Sequence, residues 1–536
     1  MATRRRGRRH FQPDSQVNEI AGRTARERAR LLHDYRARID NARVYDVAIR
    51  SPLDEAPRLS ARMGNRVLLK REDAQPVYSF KLRGAYNRIV RLSDAERRRG
   101  VICASAGNHA QGVALAAQRL GIPAWIVMPR TTPQIKVDSV RSLGARAVLH
   151  GDAYDDAAEH AAALCAAKGL SYIPPYDDPE IIAGQGTVAR EIVAQHPGPI
   201  DAVFVPVGGG GLIAGVAAYL KAVRPEVRII GVEPSDSNCL AAAMKAGRRV
   251  SLPQVGLFAD GVAVRQIGKE NFRLARHFVD EVITVEIDEI CAAIRDMFNE
   301  RRAVPEPAGA LGIAGIKRWV VQHGVRDQTL CAIVSGANVN FDRLRHIAER
   351  AELGDANEAL LAVTIPERPG SFRRFCRELG RHNISEFNYR YADAQGAHVF
   401  VGVKLAGGRD EAAQVLEGLR ASGYAVVDLS GDEIAKVHIR YMVGGRAPGL
   451  SDERLFRIEF PERPGALLNF LSRLGDQWNI SLFHYRNHGA AHGRVLVGLQ
   501  VPRRERAENR RVLDEIGYPW WEESENPGYE LFLGTA

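Results

Sequence analysis

Long apolar runs are missing from this sequence. None of its 536 residues lies in a run near the roughly 20 apolar residues that span a bilayer, so no membrane partner is expected. Cysteine is sparse: Cys103, Cys165, Cys239, Cys291, Cys331 and Cys376, with no CxxC pair. Cys103 and Cys331 sit in apolar surroundings, Val-Ile-Cys-Ala and Leu-Cys-Ala-Ile-Val. Buried free thiols in a reducing, cytoplasmic compartment are the expected state. No apolar stretch of 7–15 residues follows the first charges, which argues against a secretory signal. What remains, 45% hydrophobic and 26% charged, is the composition of a globular protein of two to four domains.

The net charge of +10 is concentrated at one end. Residues 1–40 hold eleven arginines against five acidic residues, a net of +6. The run Arg4-Arg5-Arg6 with Arg8-Arg9 suits an acidic surface or nucleic acid, but a disordered basic extension explains it as well, and no nucleic-acid partner is expected. An organellar transit peptide would also be Arg-rich, yet Asp14, Glu19, Glu27 and Asp34 are residues such peptides avoid.

From residue 16 to 45 the apolar spacing predicts a helix, and residues 41–354 then alternate short apolar strands with amphipathic helices. Strands are expected at 67–72, 101–104, 124–128, 147–149, 171–173, 202–205 and 228–232, and helices at 83–92, 110–120, 134–143, 154–169, 188–195 and 211–223. That order predicts parallel α/β layers with ligands beyond the carboxyl ends of the strands. Four unusual segments stand at or beside strand ends. Ser79-Phe80-Lys81-Leu82-Arg83-Gly84 places a lysine among apolar neighbours, where burial would lower its pKa. Ser105-Ala106-Gly107-Asn108-His109 precedes a predicted helix, so Asn108 also reads as a plain N-cap and His109 as a structural residue. Gly208-Gly209-Gly210-Gly211-Leu212 joins strand to helix, which suits a bound dianion or merely a tight turn; no Lys-Ser/Thr follows, so it is not Walker A. Ser335-Gly336-Ala337-Asn338 ends another strand, and Ser335 alone also reads as an N-cap.

Past a polar boundary at 345–358 the chain repeats itself. Ile365-Pro366-Glu367-Arg368-Pro369-Gly370 returns 95 residues later as Phe460-Pro461-Glu462-Arg463-Pro464-Gly465. Asn383-Ile384-Ser385-Glu386-Phe387-Asn388-Tyr389-Arg390 returns 96 later as Asn479-Ile480-Ser481-Leu482-Phe483-His484-Tyr485-Arg486. Two α+β units of ferredoxin-like type are expected, over 359–431 and 453–526.

Together the four segments resemble the fold-type II family of pyridoxal-phosphate enzymes, closest to the biosynthetic threonine dehydratases, and the repeats resemble a tandem ACT-like regulatory module. The resemblance covers about residues 40–526. It implies two α/β subdomains that hold pyridoxal 5'-phosphate and eliminate water and ammonia from L-threonine, as the entry to isoleucine synthesis. Lys81 then matches the Schiff-base lysine, Gly208–Gly211 with Leu212 the phosphate cradle, and Ser335 the partner of the ring nitrogen. Asn108 matches the contact to the ring oxygen, and Ser105, Ala106 and Gly107 the turn that grips the substrate carboxylate. A hydroxyl partner leaves the ring a weaker electron sink than a carboxylate would, which favours elimination.

Glu306 lies where relatives have Glu-Pro-Ser-Gly-Ala, but residue 308 here is Ala. Ala106 replaces the second serine of the racemases, and Cys239 replaces an aspartate that helps some relatives hold a divalent cation near Glu233, so neither racemisation nor a bound metal is expected. The resemblance further implies a homotetramer, inhibited by isoleucine and relieved by valine. Tyr389, Arg390, Arg440, Tyr485 and Arg486 are the candidate effector residues; the other reading is tyrosine and arginine that simply finish strands at a domain interface. A related lyase, such as an L-serine dehydratase, is the alternative. A non-enzymatic amino-acid sensor would keep the repeats but has no need of Lys81.

Overall fold

The structure is a computed structural model. It describes residues 14–341, 343–354, 357–380, 382–391, 397–437, 439–442, 444, 445, 447, 449–461, 466–486, 492–527, 529 and 533, with the backbone alone for 14–24, 433, 437, 460, 461, 466, 486 and 492–494. The Arg-rich run at 4–9 therefore lies outside the described residues. The chain divides into two compact units, Met1–Ala348 and Glu349–Ala536.

The first unit carries two sheets. The larger has the strand order Leu53–Glu55, Arg66–Arg71, Thr329–Val334, Ala202–Pro206, Arg228–Pro234, Glu281–Val285. All neighbours are parallel except the first, which pairs antiparallel with Arg66–Arg71. The smaller sheet is wholly parallel, in the order Arg146–Leu149, Ala124–Met128, Val101–Ala104, Ser171–Tyr172. Val101–Ala104 and Ala202–Pro206 are buried at every residue, as parallel strands covered on both faces should be.

Two helices differ from the sequence-based expectation by more than three residues at one end. The N-terminal helix runs over Asp14–Asp40 and stops short of 45. Ala42 N turns back to the Ile39 carbonyl (3.2 Å), and Asn87 Oδ1 accepts the Arg43 N–H (2.9 Å) in place of the next helical carbonyl. The helix expected at 188–195 begins nine residues earlier, at Pro179. Asp178 caps it by accepting from Glu180 N and Ile181 N, with Pro179 at the first position. Gly184 and Gly186 lower its helix propensity, but packing needs them bare. A Cβ on Gly186 would meet the Ile39 Cδ1 at 2.5 Å and the Gly215 carbonyl at 3.1 Å.

The second unit is one eight-stranded sheet. Its order is Ala425–Asp428, Glu358–Ile365, Ala397–Lys404, Asn383–Arg390, Asn479–Arg486, His492–Gln500, Glu453–Pro461, Trp520–Glu522. Each half runs strand, helix, strand, strand, helix, strand. The halves join where Asn383–Arg390 pairs antiparallel with Asn479–Arg486, and Asn388 there pairs with His484, its own counterpart in the repeat. Both halves shift register at the same place, around Ser385 and Ser481. At each, the serine hydroxyl donates to the first glutamate of the half, Glu358 or Glu453. Phe372, Phe375, Phe387 and Phe483 form the buried aromatic seam between the halves.

Candidate active site

Lys81 is the first residue of the helix Lys81–Ile89. The loop before it is stitched to the segment after Thr329–Val334. Phe80 N donates to the Ser335 carbonyl (3.2 Å), Ala337 N donates to the Tyr78 carbonyl (2.9 Å), and Ser79 bridges to Gly336. Residues some 255 apart in sequence thus share one strand end.

Beneath that loop lies a buried ionic cluster. Arg83, fully buried, donates to Glu72 (2.7 and 2.8 Å) and Glu191 (2.6 and 3.1 Å); Lys70, also fully buried, donates to Glu191 (2.7 Å) and to Gln195 and the Ser51 carbonyl. Such charges are tolerated only because each is paired and hydrogen-bonded, and removing one partner costs about 3–5 kcal/mol. The cluster ties the strand Arg66–Arg71 and the helix Pro179–Gln195 to the residue two positions past Lys81.

Lys81 Nζ donates to the Pro175 carbonyl at 3.0 Å. Burial lowers its pKa to about 8, opposed by the charge of Glu306. His109 Nε2 bonds the Ile173 carbonyl (2.9 Å), and burial, reinforced by Lys81, pushes its pKa down to about 3, so the ring is neutral and structural.

The Ser105–His109 turn corrects one expectation. The helix starts at Asn108, with Gly107 at the N-cap position, so Asn108 is not the cap. The Ser105 hydroxyl accepts instead, from Gly107 N and Ala110 N, both at 3.3 Å. Asn108 is left for other partners. Its Nδ2 donates to Glu306 Oε1 (2.6 Å), and its Oδ1 accepts from Asn338 Nδ2 (2.6 Å). Burial, then the charge of Asp260, raises the Glu306 pKa to about 7. Nor is Ser335 an N-cap: the next helix is Arg343–Gly354. Its buried hydroxyl makes one long bond, 3.4 Å to the Ala308 carbonyl.

Gly208–Gly211 turns from Ala202–Pro206 into the helix Gly211–Val223, with Gly210 at φ 92°, a conformation that favours glycine. A Cβ on Gly209 would stand 2.2 Å from the Tyr176 ring. Asn271 Nδ2 holds the Gly209 carbonyl at 2.6 Å, and Leu212 is buried behind the loop. The segment Ile173–Tyr176 therefore touches His109, Lys81 and the glycines in turn.

These residues fit pyridoxal phosphate. The glycine loop opens a 13-residue helix with bare backbone. Among the described residues, Ser79 Oγ, two residues before Lys81, is buried without a hydrogen-bond partner, and Ser335 Oγ has only its long bond. Glu233, beside Cys239, accepts from Leu240 N (2.8 Å) and Ala241 N (2.9 Å), and no cluster of metal-ligating side chains occurs among the described residues.

Sequence reading missed Ser79, Tyr176, Asn271 and Asn338. Ser79 could have been found from its place in the Lys81 motif and Asn338 from its place in the Ser335 segment; Tyr176 and Asn271 carry no local signal.

In the second unit, Tyr389 is buried and donates its hydroxyl to Glu367. Arg390 pairs with Glu453 and also donates to the Gly445 carbonyl (2.9 Å). Arg440, buried, pairs with Glu386 (2.6 Å) and approaches Glu358 (3.6 Å). Tyr485 is buried at the junction of the halves, and the side chain of Arg486 lies outside the described residues.

Comparison with known proteins agrees with this chemistry. Residues 44–336 match the family described as pyridoxal-phosphate dependent enzyme, and residues 349–439 and 444–533 each match the C-terminal regulatory domain of threonine dehydratase. The biosynthetic L-threonine dehydratase of Burkholderia multivorans is 56% identical over 94% of this chain and 99% of its own length. That of Escherichia coli is 52% identical over 93% and 97%. Among solved structures, the processed form of threonine deaminase isoform 2 from Solanum lycopersicum has a TM-score of 0.59 at 50% identity, over 60% of this chain and 93% of that one. Maize serine racemase has a TM-score of 0.54 at 33% identity, over 59% and 94%. With pyridoxal 5'-phosphate as its cofactor, the chain belongs to the biosynthetic threonine dehydratases.

Proposed function

We propose that the chain converts L-threonine to 2-oxobutanoate and ammonia by α,β-elimination, as the first step of isoleucine biosynthesis in the cytoplasm. The observation that carries this is the pairing of the Lys81 loop with the Ser335 strand end, which joins the segment carrying a lysine of lowered pKa to the segment carrying a hydroxyl with spare bonding capacity.

Bound pyridoxal phosphate supplies an electron-withdrawing ring in conjugation with the amino acid's nitrogen, which acidifies Cα–H and lets the β-hydroxyl depart. The chain's own residues do the rest. Lys81 Nζ anchors the cofactor and, when free, takes the Cα proton; a pKa near 8 leaves an appreciable neutral fraction at physiological pH. Ser335 holds the ring nitrogen and Asn108 the ring oxygen. Gly208–Gly211 with Leu212 receive the phosphate through backbone N–H groups. Ser105, Ala106 and Gly107 grip the substrate carboxylate with theirs.

Residues 41–354 serve catalysis, and the units at 359–431 and 453–526 serve control, with isoleucine inhibiting, valine opposing and four chains assembling. Tyr389, Arg390, Arg440, Tyr485 and Arg486 are the effector residues of this reading. Arg390 and Arg440 hold internal carboxylates, so an effector's carboxylate would have to displace Glu453 or Glu386.

The test is production of 2-oxobutanoate by the purified protein, titrated with isoleucine and then valine. Turnover of threonine that isoleucine suppresses and valine restores supports the proposal. A higher kcat/KM for L-serine than for L-threonine would replace it with the serine dehydratase reading.

A further inference from the structure

We propose that Asn338 and Glu306 are positioning residues that lock the amide of Asn108 in one orientation, with a single N–H left over for the cofactor's ring oxygen. This rests on the reading of Asn108 as a cofactor contact.

An asparagine amide is nearly symmetric in shape, and which end carries the oxygen is decided by its partners. Here one backbone atom decides it. The Val77 carbonyl is an acceptor only, so the Asn338 atom that meets it at 2.9 Å is Nδ2. The same Nδ2 meets Asn108 at 2.6 Å, which spends its second hydrogen and makes the Asn108 atom Oδ1. Asn108 Nδ2 is then the end that faces Glu306 Oε1 at 2.6 Å.

One hydrogen of Asn108 Nδ2 goes to Glu306, and the other has no acceptor among the described residues. Flipped, the amide would set Nδ2 against Asn338 Nδ2, whose hydrogens are already committed, and, whenever Glu306 is ionised, Oδ1 against its carboxylate.

Both clamps are themselves fixed. Glu306 N donates to the Gly336 carbonyl (3.1 Å), and the Glu306 carbonyl accepts from Gly309 N (2.8 Å). Its carboxylate lies so close to Gly336 that a Cβ there would meet Oε1 at 2.7 Å. Asn338 belongs to the segment stitched to Tyr78, so its anchor at Val77 moves with the Lys81 loop. The chain Val77, Asn338, Asn108, Glu306 therefore joins four separate parts of the sequence.

The test uses the holoenzyme and reads the cofactor's absorption maximum and its affinity, beside turnover. Asn108→Ala is expected to weaken cofactor binding roughly tenfold and shift the band. Asn338→Asp, which turns the donor into an acceptor, is expected to reproduce both changes. Glu306→Gln keeps an acceptor for Asn108 without the charge and is expected to hold affinity within about twofold. Asn338→Ala, which adds no charge, is expected to lose about threefold and covers the case in which Asn338→Asp does not fold. If Asn108→Ala shifts the band while Asn338→Asp or Asn338→Ala leaves it in place, the positioning role is overturned and the contact stands. If Asn108→Ala itself changes nothing, the reading of Asn108 falls, and the positioning role with it.

Discussion

Gly184 crosses Gly84 so closely that a Cβ on Gly184 would stand 2.6 Å from the Gly84 Cα. The two glycines let the helix Pro179–Gln195 press against the helix that begins at Lys81. Intrinsic helix propensity alone would make Gly184→Ala stabilising by about 1 kcal/mol. The crossing predicts the opposite sign, a loss of about 1–3 kcal/mol from overpacking. Denaturant unfolding of the holoenzyme decides between them, and faster cofactor loss is expected alongside.

Under the proposed function the Lys81 amine sets the acid limb of the rate. Burial lowers its pKa to about 8, and the Glu306 charge holds it from falling further. Below that pH the free amine is protonated and accepts no proton from Cα, so kcat is expected to rise with pH and level off above about 8. Glu306→Gln removes the stabilising charge, so the limb is expected to move to lower pH. Steady-state kcat between pH 6 and 9.5 measures both; a limb that moves upward contradicts the assignment.

How far the sequence foretold this site follows from where its signals are local. The glycine loop was legible because a tight turn from strand to helix needs consecutive glycines, the lysine loop because its few consecutive residues resemble a family motif, and the repeat because the chain can be compared with itself. The clamp on Asn108 was not, because its partners lie 198 and 230 positions away. Asn108 itself was legible as a polar residue at a helix start, but its N-cap reading failed because Ser105 already takes the free N–H groups. The early half of Pro179–Gln195 was hidden by glycines whose purpose is a contact made far away in sequence.

Glu233 spends both carboxylate oxygens on the N–H groups of Leu240 and Ala241, at the start of the helix Cys239–Ala246. A divalent cation would share oxygens that already accept backbone N–H groups, with Cys239 as a soft neighbour where an oxygen ligand is needed. Turnover is therefore expected to be the same in EDTA and in millimolar magnesium. A several-fold activation by the cation contradicts this.

Ala106 has no ionisable group, so under the proposed function nothing at this position returns a proton to Cα. The protein is expected to form no D-serine from L-serine, while Ala106→Ser gains a slow epimerisation. Chiral chromatography of the unreacted amino acid measures it; D-serine from the unsubstituted protein contradicts the role given to this position.

The most direct measurement is chemical trapping of the cofactor on the chain. Borohydride reduction of the holoenzyme, followed by peptide mass mapping, is expected to place one pyridoxyl group on Lys81, with the visible absorption band lost in parallel. Lys81→Ala is expected to show neither the band nor the label and to lose at least about a thousandfold in turnover. A label on any other lysine, or full turnover in Lys81→Ala, would contradict the assignment of this site.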